Sequence, residues 1–238
     1  ALAFGDNVWK GDIADNFAGG SGTEDDPYLI SNGAELALLA KLINENSANK
    51  YFNKHYKLIA DINLGGLEWD PIGRFTFGDG VSAESRAFCG TFDGNGHTVS
   101  NFYQNTWEIK GDYDGNYYSD AMGLFGYVVD ATIMNLHVDN FSSDGEFTPT
   151  GVIAAYAVNS TFENIAITNC NPRVYNTGNG GIVGVNIMVA TRKYEEYVRA
   201  AVKAGADAVY LGTENFNARR NAHNFTDLGK MSKDKRNQ

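Results

Sequence analysis

The chain of 238 residues contains 19 basic and 29 acidic side chains, and its formal net charge of −10 excludes most nucleic-acid partners. Hydrophobic residues make up 43% of the chain, but it lacks an uninterrupted run of 18 apolar residues, the length that a membrane span needs. The length allows one large domain or two small ones, and 27 glycines against 4 prolines indicate a turn-rich β-protein.

Residues 1–50 are predicted to form an N-terminal cap that contains a helix. Glycine, aspartate and proline between residues 19 and 27 indicate turns, which lead into a short strand at 28–30. Ser31 or Asn32 then caps a helix with Glu35 in its first turn. The apolar face of this helix contains Leu36, Leu39, Leu42 and Ile43. Such a helix would cover the open end of a repetitive β-structure and prevent edge-to-edge association.

The stretch from residue 122 to residue 186 repeats itself. A glycine-rich motif begins at Gly123, Gly151 and Gly181, at intervals of 28 and 30 residues. Residues 132–140 align with residues 161–169 at an offset of 29, and residues 98–102 form a weaker copy at an offset of 34. Self-similarity at a period of about 20–50 residues is typical of a solenoid.

Apolar residues alternate with small or polar ones inside each copy, and this pattern predicts short strands. The apolar positions are Ile133, Leu136 and Val138 in one copy and Phe162, Ile165 and Ile167 in the next. We therefore expect residues 51–186 to be all-β, each repeat forming one coil of a parallel β-helix; a β-sandwich is the alternative. Asn101, Asn135 and Asn164 are expected to stack at one turn, where their amides would bond from coil to coil.

Several motifs occur in a fixed order along residues 8–186. They are GGSGTEDDPYLI, LIADINLGG, W-x-PIG, GTFDGNGHTVSNF and GLFG with its following I-x-NL-x-V. In these motifs the sequence resembles the GLUG-repeat β-helix modules of secreted and surface proteins from gut and other bacteria. The resemblance implies a right-handed parallel β-helix and a secreted or cell-surface setting. It implies little about chemistry, because these modules sit in large adhesin-like or peptidase-associated proteins. We expect a monomer or a segment of a larger chain.

Residues 103–121 interrupt the repeat and are rich in aromatic side chains. The aromatic candidates for ligand binding are Trp107, Tyr113, Tyr117 and Tyr118. Function tends to collect on loops carried by a rigid scaffold, and exposed rings there would stack on sugar faces. The alternative is a solvated loop whose rings cover the surface of the coil.

The same insertion begins like an EF-hand calcium loop. Asp112, Asp114 and Asn116 follow its D-x-D-x-N spacing, but Tyr117 replaces the glycine at the sixth position and Gly123 replaces the closing glutamate. An EF-hand is therefore not expected. The cofactor hypothesis is either none or an irregular Ca²⁺ site formed by those first three residues.

Two other groups of polar residues are interpreted as structural. Asp93, Asn95 and His97 lie in a glycine-rich turn, where such side chains bond their own backbone. Cys89 and Cys170 are far apart and have no metal-binding spacing; we expect buried thiols, with a disulfide as the alternative.

Residues 187–238 break the repeat and are predicted to form a βαβ-like α/β tail, with a helix over 192–205 between two apolar strands. GVNIMVATRKYEEYVRAAVKAGADA resembles a βα segment of nitronate monooxygenases, and the overlapping AVKAGADAVYLGTENFNARRNAHNFT resembles the opening of collagenase-like peptidases. Fragments of this size cannot close a TIM barrel, so no catalytic residues are carried over from either family. The tail is either a genuine cap or a fused fragment.

Three functions follow from these patterns. The first is a non-catalytic extracellular module that binds a polysaccharide or a host or bacterial surface protein, or that acts as a rigid adhesin-like stalk. The second is a polysaccharide lyase or glycoside hydrolase of the β-helix type, which would bring Asp93, Asp130 or Asp139 near Asp112 and Asp114. The third is a flavin or peptidase enzyme inherited from the tail. We favour the first, because no nucleophile–base signature is present.

Overall fold

A computed structural model describes residues 8–45, 50–74, 76–77, 86–105, 117–118, 121–145, 149–173 and 179–187 of the protein. Residues 1–186 form one compact unit and residues 187–238 a second. Only Ile187 of the second unit is among the described residues, so the predicted strand–helix–strand tail lies outside them.

The N-terminal part contains the helix that the sequence predicts. Helix α1 spans Gly33–Asn44, and the side chain of Asn32 caps it by accepting a hydrogen bond of 3.0 Å from the Glu35 amide. The Glu35 carboxylate in turn accepts the amide of Ser31 at 2.6 Å, so backbone donors at the helix start are satisfied from both sides. Leu36, Leu39 and Ile43 are buried as expected, whereas Leu42 is only half-buried.

The other regular elements of the described chain are β-strands, joined by turns and irregular segments. The strands are β1 (Tyr28–Ile30), β2 (His55–Leu58), β3 (Ile62–Glu68), β4 (Thr76–Phe77), β5 (Thr91–Asp93), β6 (Thr98–Asn105), β7 (Tyr117–Tyr118), β8 (Phe125–Val129), β9 (Thr132–Asp144), β10 (Thr150–Gly151), β11 (Ala154–Val158), β12 (Thr161–Thr168), β13 (Asn171–Pro172), β14 (Asn179–Gly180) and β15 (Val183–Ile187). No helix within the described residues is long and apolar enough to cross a membrane.

The largest sheet is parallel and is organised around β9. The first half of β9 pairs with β5 and the second half with β6, while β12 and β13 pair along its other edge. β2 and β3 continue the sheet beyond β5 and β6, and β1 pairs with β2. A second sheet has the order β15–β11–β8, with β8 and β11 parallel. The chain is therefore mostly β, with parallel sheets.

The predicted repeat offset of 29 residues is confirmed, but the offset of the weaker copy is wrong. Thr132 of β9 lies opposite Thr161 of β12, 29 residues along the chain. Val99 pairs with Val138, at an offset of 39 rather than 34. An offset of 34 would place β6 against the first half of β9, and β5 already occupies that edge.

The core is built from side chains that occupy equivalent positions on successive strands. Ile62, Val99 and Val138 are at most 1% exposed and lie in register on β3, β6 and β9. The rings of Phe102 and Phe141 stack with centroids 4.8 Å apart. This registration lets the alternating apolar positions of different strands fill one interior.

The turns depend on asparagines with left-handed backbone conformation. Positive φ occurs at Asn95, Asn101, Asp130, Asn135, Asn140, Asn159, Asn164 and Asn169. Asparagine tolerates this region better than most residues because its short side chain can bond locally. The same turn geometry therefore recurs at equivalent positions of neighbouring repeats.

The asparagines form two ladders, not the one that the sequence predicts. Asn164 donates to Asn135 at 2.9 Å, and Asn135 donates to Asp93 at 3.0 Å. Asn101 does not join them.

The second ladder passes through Asn101 instead. Asn140 donates to Asn101 at 2.7 Å, and Asn101 donates to Asn63 at 3.1 Å. The correction follows from the register: Asn101 lies between Ser100, which pairs with Asp139, and Phe102, which pairs with Phe141.

Candidate functional site

The predicted sugar-stacking and calcium-binding residues fall mostly outside the described part of the chain. Trp107, Tyr113, Asp112, Asp114 and Asn116 all lie outside it, so both hypotheses remain predictions.

Two members of the aromatic set have a described backbone. Tyr117 and Tyr118 form β7, which pairs antiparallel with β4. Arg74 and Arg86, at the ends of the segment that contains β4, form a further antiparallel bridge. The insertion at 103–121 is therefore joined by backbone pairing to the loop between residues 74 and 86.

A polar face lies on the outer side of β6, β9 and β12. Because side chains alternate along a strand, burial of Val99 and Val138 turns their neighbours toward solvent. We call this surface the His–Asp face; it consists of Asp61, His97, Thr98, His137, Asp139 and Thr168. The sequence alignment missed it, because at an offset of 34 Thr98 is placed opposite Thr132 instead of His137.

A chain of hydrogen bonds crosses the His–Asp face. Thr168 donates its hydroxyl proton to Asp139 at 2.6 Å, so its oxygen accepts from Nε2 of His137 at 2.7 Å. Nδ1 of a neutral His137 then accepts the hydroxyl of Thr98 at 3.1 Å. In its neutral form His137 is therefore held as the Nε2–H tautomer, with the imidazole between β6 and β12.

A second pair lies beside this chain. Oδ1 of Asp61 lies 3.1 Å from Nδ1 of His97 and accepts the backbone amide of Thr98 at 2.9 Å. The Thr98 amide, followed by the His97 hydrogen bond and the charges of His97 and His137, lowers the pKa of Asp61. Hydrogen bonds from Thr168 and Asn169, with a smaller effect of the His137 charge, lower the pKa of Asp139.

These lowered pKa values bear on one chemical role of the face, that of a general acid. Both carboxylates are ionised at neutral pH, so neither holds a proton to give to a leaving group. The face offers hydrogen-bond acceptors on a regular sheet surface. It is suited to recognition of hydroxyl-rich or polar partners.

The predicted structural role of the Asp93 turn is confirmed. Asp93 accepts the backbone amide of Asn95 at 2.8 Å and the side-chain amide of Asn135 at 3.0 Å. Lys57 lies 3.8 Å from its other oxygen. Asp130 occupies a turn with φ of 49°. Across the described residues, no group of three or more His, Cys, Asp or Glu side chains could hold a metal ion.

The two cysteines are free thiols, and the disulfide alternative is wrong. Burial raises the pKa of Cys89, with a further increase from the charge of Asp130. Burial also raises the pKa of Cys170, whose sulfur donates to the carbonyl of Thr168 at 3.1 Å. Both behave as small, half-buried packing groups.

Fold and surface together define a repetitive all-β protein with parallel sheets and a polar outer face. The family model described as Peptidase family U32 matches residues 193–236, which confirms that the tail resembles collagenase-like peptidases. These residues lie outside the described part of the chain, and the match covers a minor part of the protein.

Two curated proteins are similar to the chain. Halomucin of Haloquadratum walsbyi is 34% identical over 158 residues, a match that covers 63% of this chain and 1% of that protein. A putative Gly-rich membrane protein of Evansella cellulosilytica is 32% identical over 137 residues, which is 55% of this chain and 12% of that protein. The chain thus spans a small part of either relative. No solved structure matches the chain.

Proposed function

We propose that the chain is a non-catalytic module of a secreted or cell-surface protein, folded as a right-handed parallel β-helix, that binds carbohydrate. The observation that carries the proposal is the parallel, in-register pairing of strands from neighbouring repeats, with an asparagine ladder at each of two turns. Such a stack is a rigid scaffold on which exposed loops and outer faces present binding groups.

The surface chemistry supports recognition over catalysis. The carboxylates of Asp61 and Asp139 are ionised and engaged by neighbouring donors, and Asp93 is occupied by its own turn. The His–Asp face offers carboxylate oxygens, which complement sugar hydroxyls. The net charge of −10 favours neutral or basic partners over nucleic acid.

The names of the two relatives support the proposed location. One is called Halomucin and the other a putative Gly-rich membrane protein. Both names fit a surface or secreted setting. The resemblance of residues 8–186 to GLUG-repeat modules points the same way.

A glycan array probed with the full chain tests carbohydrate binding. A bound glycan, added at a hundredfold excess over its Kd, should stabilise the folded state by about 2.7 kcal/mol and raise Tm by about 5–10 °C. Titration with Ca²⁺ in the same thermal assay tests the predicted metal site. Trp107→Ala and Asp112→Ala examine the insertion, and Glu24→Ala, in an exposed turn, is the control.

The outcomes separate the candidate functions. Absence of array binding together with an unchanged Tm would overturn the carbohydrate proposal and leave a stalk or a protein-binding module. Cleavage of a bound glycan during incubation, detected as shortened or unsaturated products, would replace the module with the lyase or hydrolase hypothesis.

A further inference from the structure

We propose that a hollow at the N-terminal end of the protein binds one sugar ring of a neutral or amino sugar; this deepens the proposed carbohydrate function and rests on it. The hollow has a volume of about 330 Å³. It lies between the segment at residues 15–20, strand β1, helix α1 and Tyr51. Its main lining residues are Asp15, Asn16, Phe17, Tyr28, Leu42 and Tyr51.

One wall of the hollow is a set of packed aromatic rings. Tyr28 lies against Phe17 with ring centroids 4.8 Å apart, and its centroid is 5.9 Å from that of Tyr51. Tyr56 is 1% exposed, and its ring centroid lies 5.6 Å from that of Tyr28. Its hydroxyl donates a hydrogen bond of 2.6 Å to the backbone carbonyl of Tyr51. The rings are therefore held in place before a ligand arrives, which lowers the entropic cost of binding.

Polar groups border this wall. Asp15 and Asn16 are exposed. Tyr28 and Tyr51 are half-buried, and both side chains line the hollow. Within the described part of the chain, none of these four side chains makes a hydrogen bond. A carboxylate, an amide and two hydroxyls are thus available to a ligand.

This combination fits the two kinds of surface that a pyranose ring has. The C–H face of the sugar packs on an aromatic ring, while adjacent hydroxyls bond to a carboxylate and an amide at the ring edge. Flanking apolar contact comes from Leu42. The volume matches the lower end of the range for small-ligand pockets, about 300–1,000 Å³.

Charge selects among sugars. The carboxylate of Asp15 repels a uronate or a sialic acid and attracts the ammonium group of a glucosamine. Nζ of Lys50 lies 5.2 Å from the ring centroid of Tyr51, so a cation already covers that ring and the selection for an ammonium group rests on Asp15 alone. Glucosamine should therefore bind more tightly than glucose, and glucuronate should not bind.

Saturation-transfer NMR on the full chain tests this with three probes: methyl glucoside, methyl glucosaminide and glucuronate. We expect transfer to the first two only, with Kd on the order of 1 mM for a single ring. Asp15→Asn should weaken the glucosaminide about threefold, the scale of an exposed ion pair, and leave the glucoside nearly unchanged. Tyr51→Phe keeps the ring and should weaken both by about threefold through loss of one hydrogen bond. Asp25→Ala, exposed and outside the hollow, is the matched control.

The results distinguish failure of the hollow from failure of the proposed function. Array binding by the full chain, with the probe affinities unchanged in Asp15→Asn and Tyr51→Phe, would overturn the hollow as the site and leave carbohydrate binding intact. Transfer to glucuronate equal to that of the glucosaminide would overturn the charge selection. If neither the array nor the NMR probes show binding, both proposals fail.

Discussion

Replacement of Asn135 tests whether the asparagine ladder stabilises the fold. This residue has φ of 53°, donates to Asp93 at 3.0 Å and accepts from Asn164 at 2.9 Å. Asn135→Ala removes both hydrogen bonds, which contribute roughly 1 kcal/mol each. It also places a Cβ in the left-handed region without the amide that offsets it, at a cost of about 1 kcal/mol. We expect a total loss of about 3 kcal/mol.

Asn135→Gly separates the two contributions. Glycine loses the same hydrogen bonds but adopts positive φ without strain, so we expect a loss of about 2 kcal/mol from the bonds alone. Asn171→Ala is the control, because Asn171 is an exposed asparagine outside the positive-φ set. Urea unfolding of the full-length variants, followed by tryptophan fluorescence, gives the free energies of unfolding.

The comparison has clear refuting results. Equal stabilities for the alanine and glycine variants would show that the left-handed conformation imposes no cost on alanine here. If both variants were as stable as the wild type, the ladder would be a consequence of the register and not a source of stability.

The remaining predictions concern packing, acid stability and the thiols. Gly90→Ala should lower stability by about 2 kcal/mol, because its Cβ would collide with a backbone carbonyl of the preceding repeat, whereas Gly181→Ala meets open space and should leave Tm unchanged. The pKa of Asp61 is lowered in the folded state, so its contribution is present above the unfolded pKa of about 4 and is lost as pH falls through the folded pKa. The Tm difference between wild type and Asp61→Asn should therefore shrink from pH 7 to pH 3; a constant difference would contradict this. Because burial raises the pKa of Cys89 and Cys170, iodoacetamide at pH 8 should alkylate them about tenfold more slowly in the native protein than in urea.

The sequence predicts local features of the fold well because they depend on neighbouring residues. Asn32 caps the helix as expected, since its side chain and Glu35 need only a single turn of chain to meet. The offset of 29 between Thr132 and Thr161 is also visible in the sequence, because these two copies are separated by a repeat without insertions.

Prediction fails where the length of the connecting chain changes. The offset between Val99 and Val138 is 39, ten more than the offset between Thr132 and Thr161, and β6 pairs with the second half of β9 beside β5 on the first half. Sequence similarity alone favoured an offset of 34, which pairs different residues. The partners of Asn101 and Thr98 consequently changed, and with them the ladder and the His–Asp face.

The hollow shows the same limit for binding residues. Phe17, Tyr28 and Tyr51 are separated by 11 and 23 residues, with no common motif to connect them. Their rings meet because β1 pairs with β2 and helix α1 returns the chain to the same end. The spacing of these residues along the sequence does not indicate that their rings meet.

The sequence by itself determined the alternation of apolar residues, the repeat period and the asparagines that tolerate positive φ, because each depends on the chemistry of single residues and short spacings. Only the tertiary structure decided which repeats lie opposite each other. Burial requires Val99 to face the interior beside Val138, and that pairing places Thr98 against His137 on the outer side. The polar face is therefore set by the packing of the core behind it.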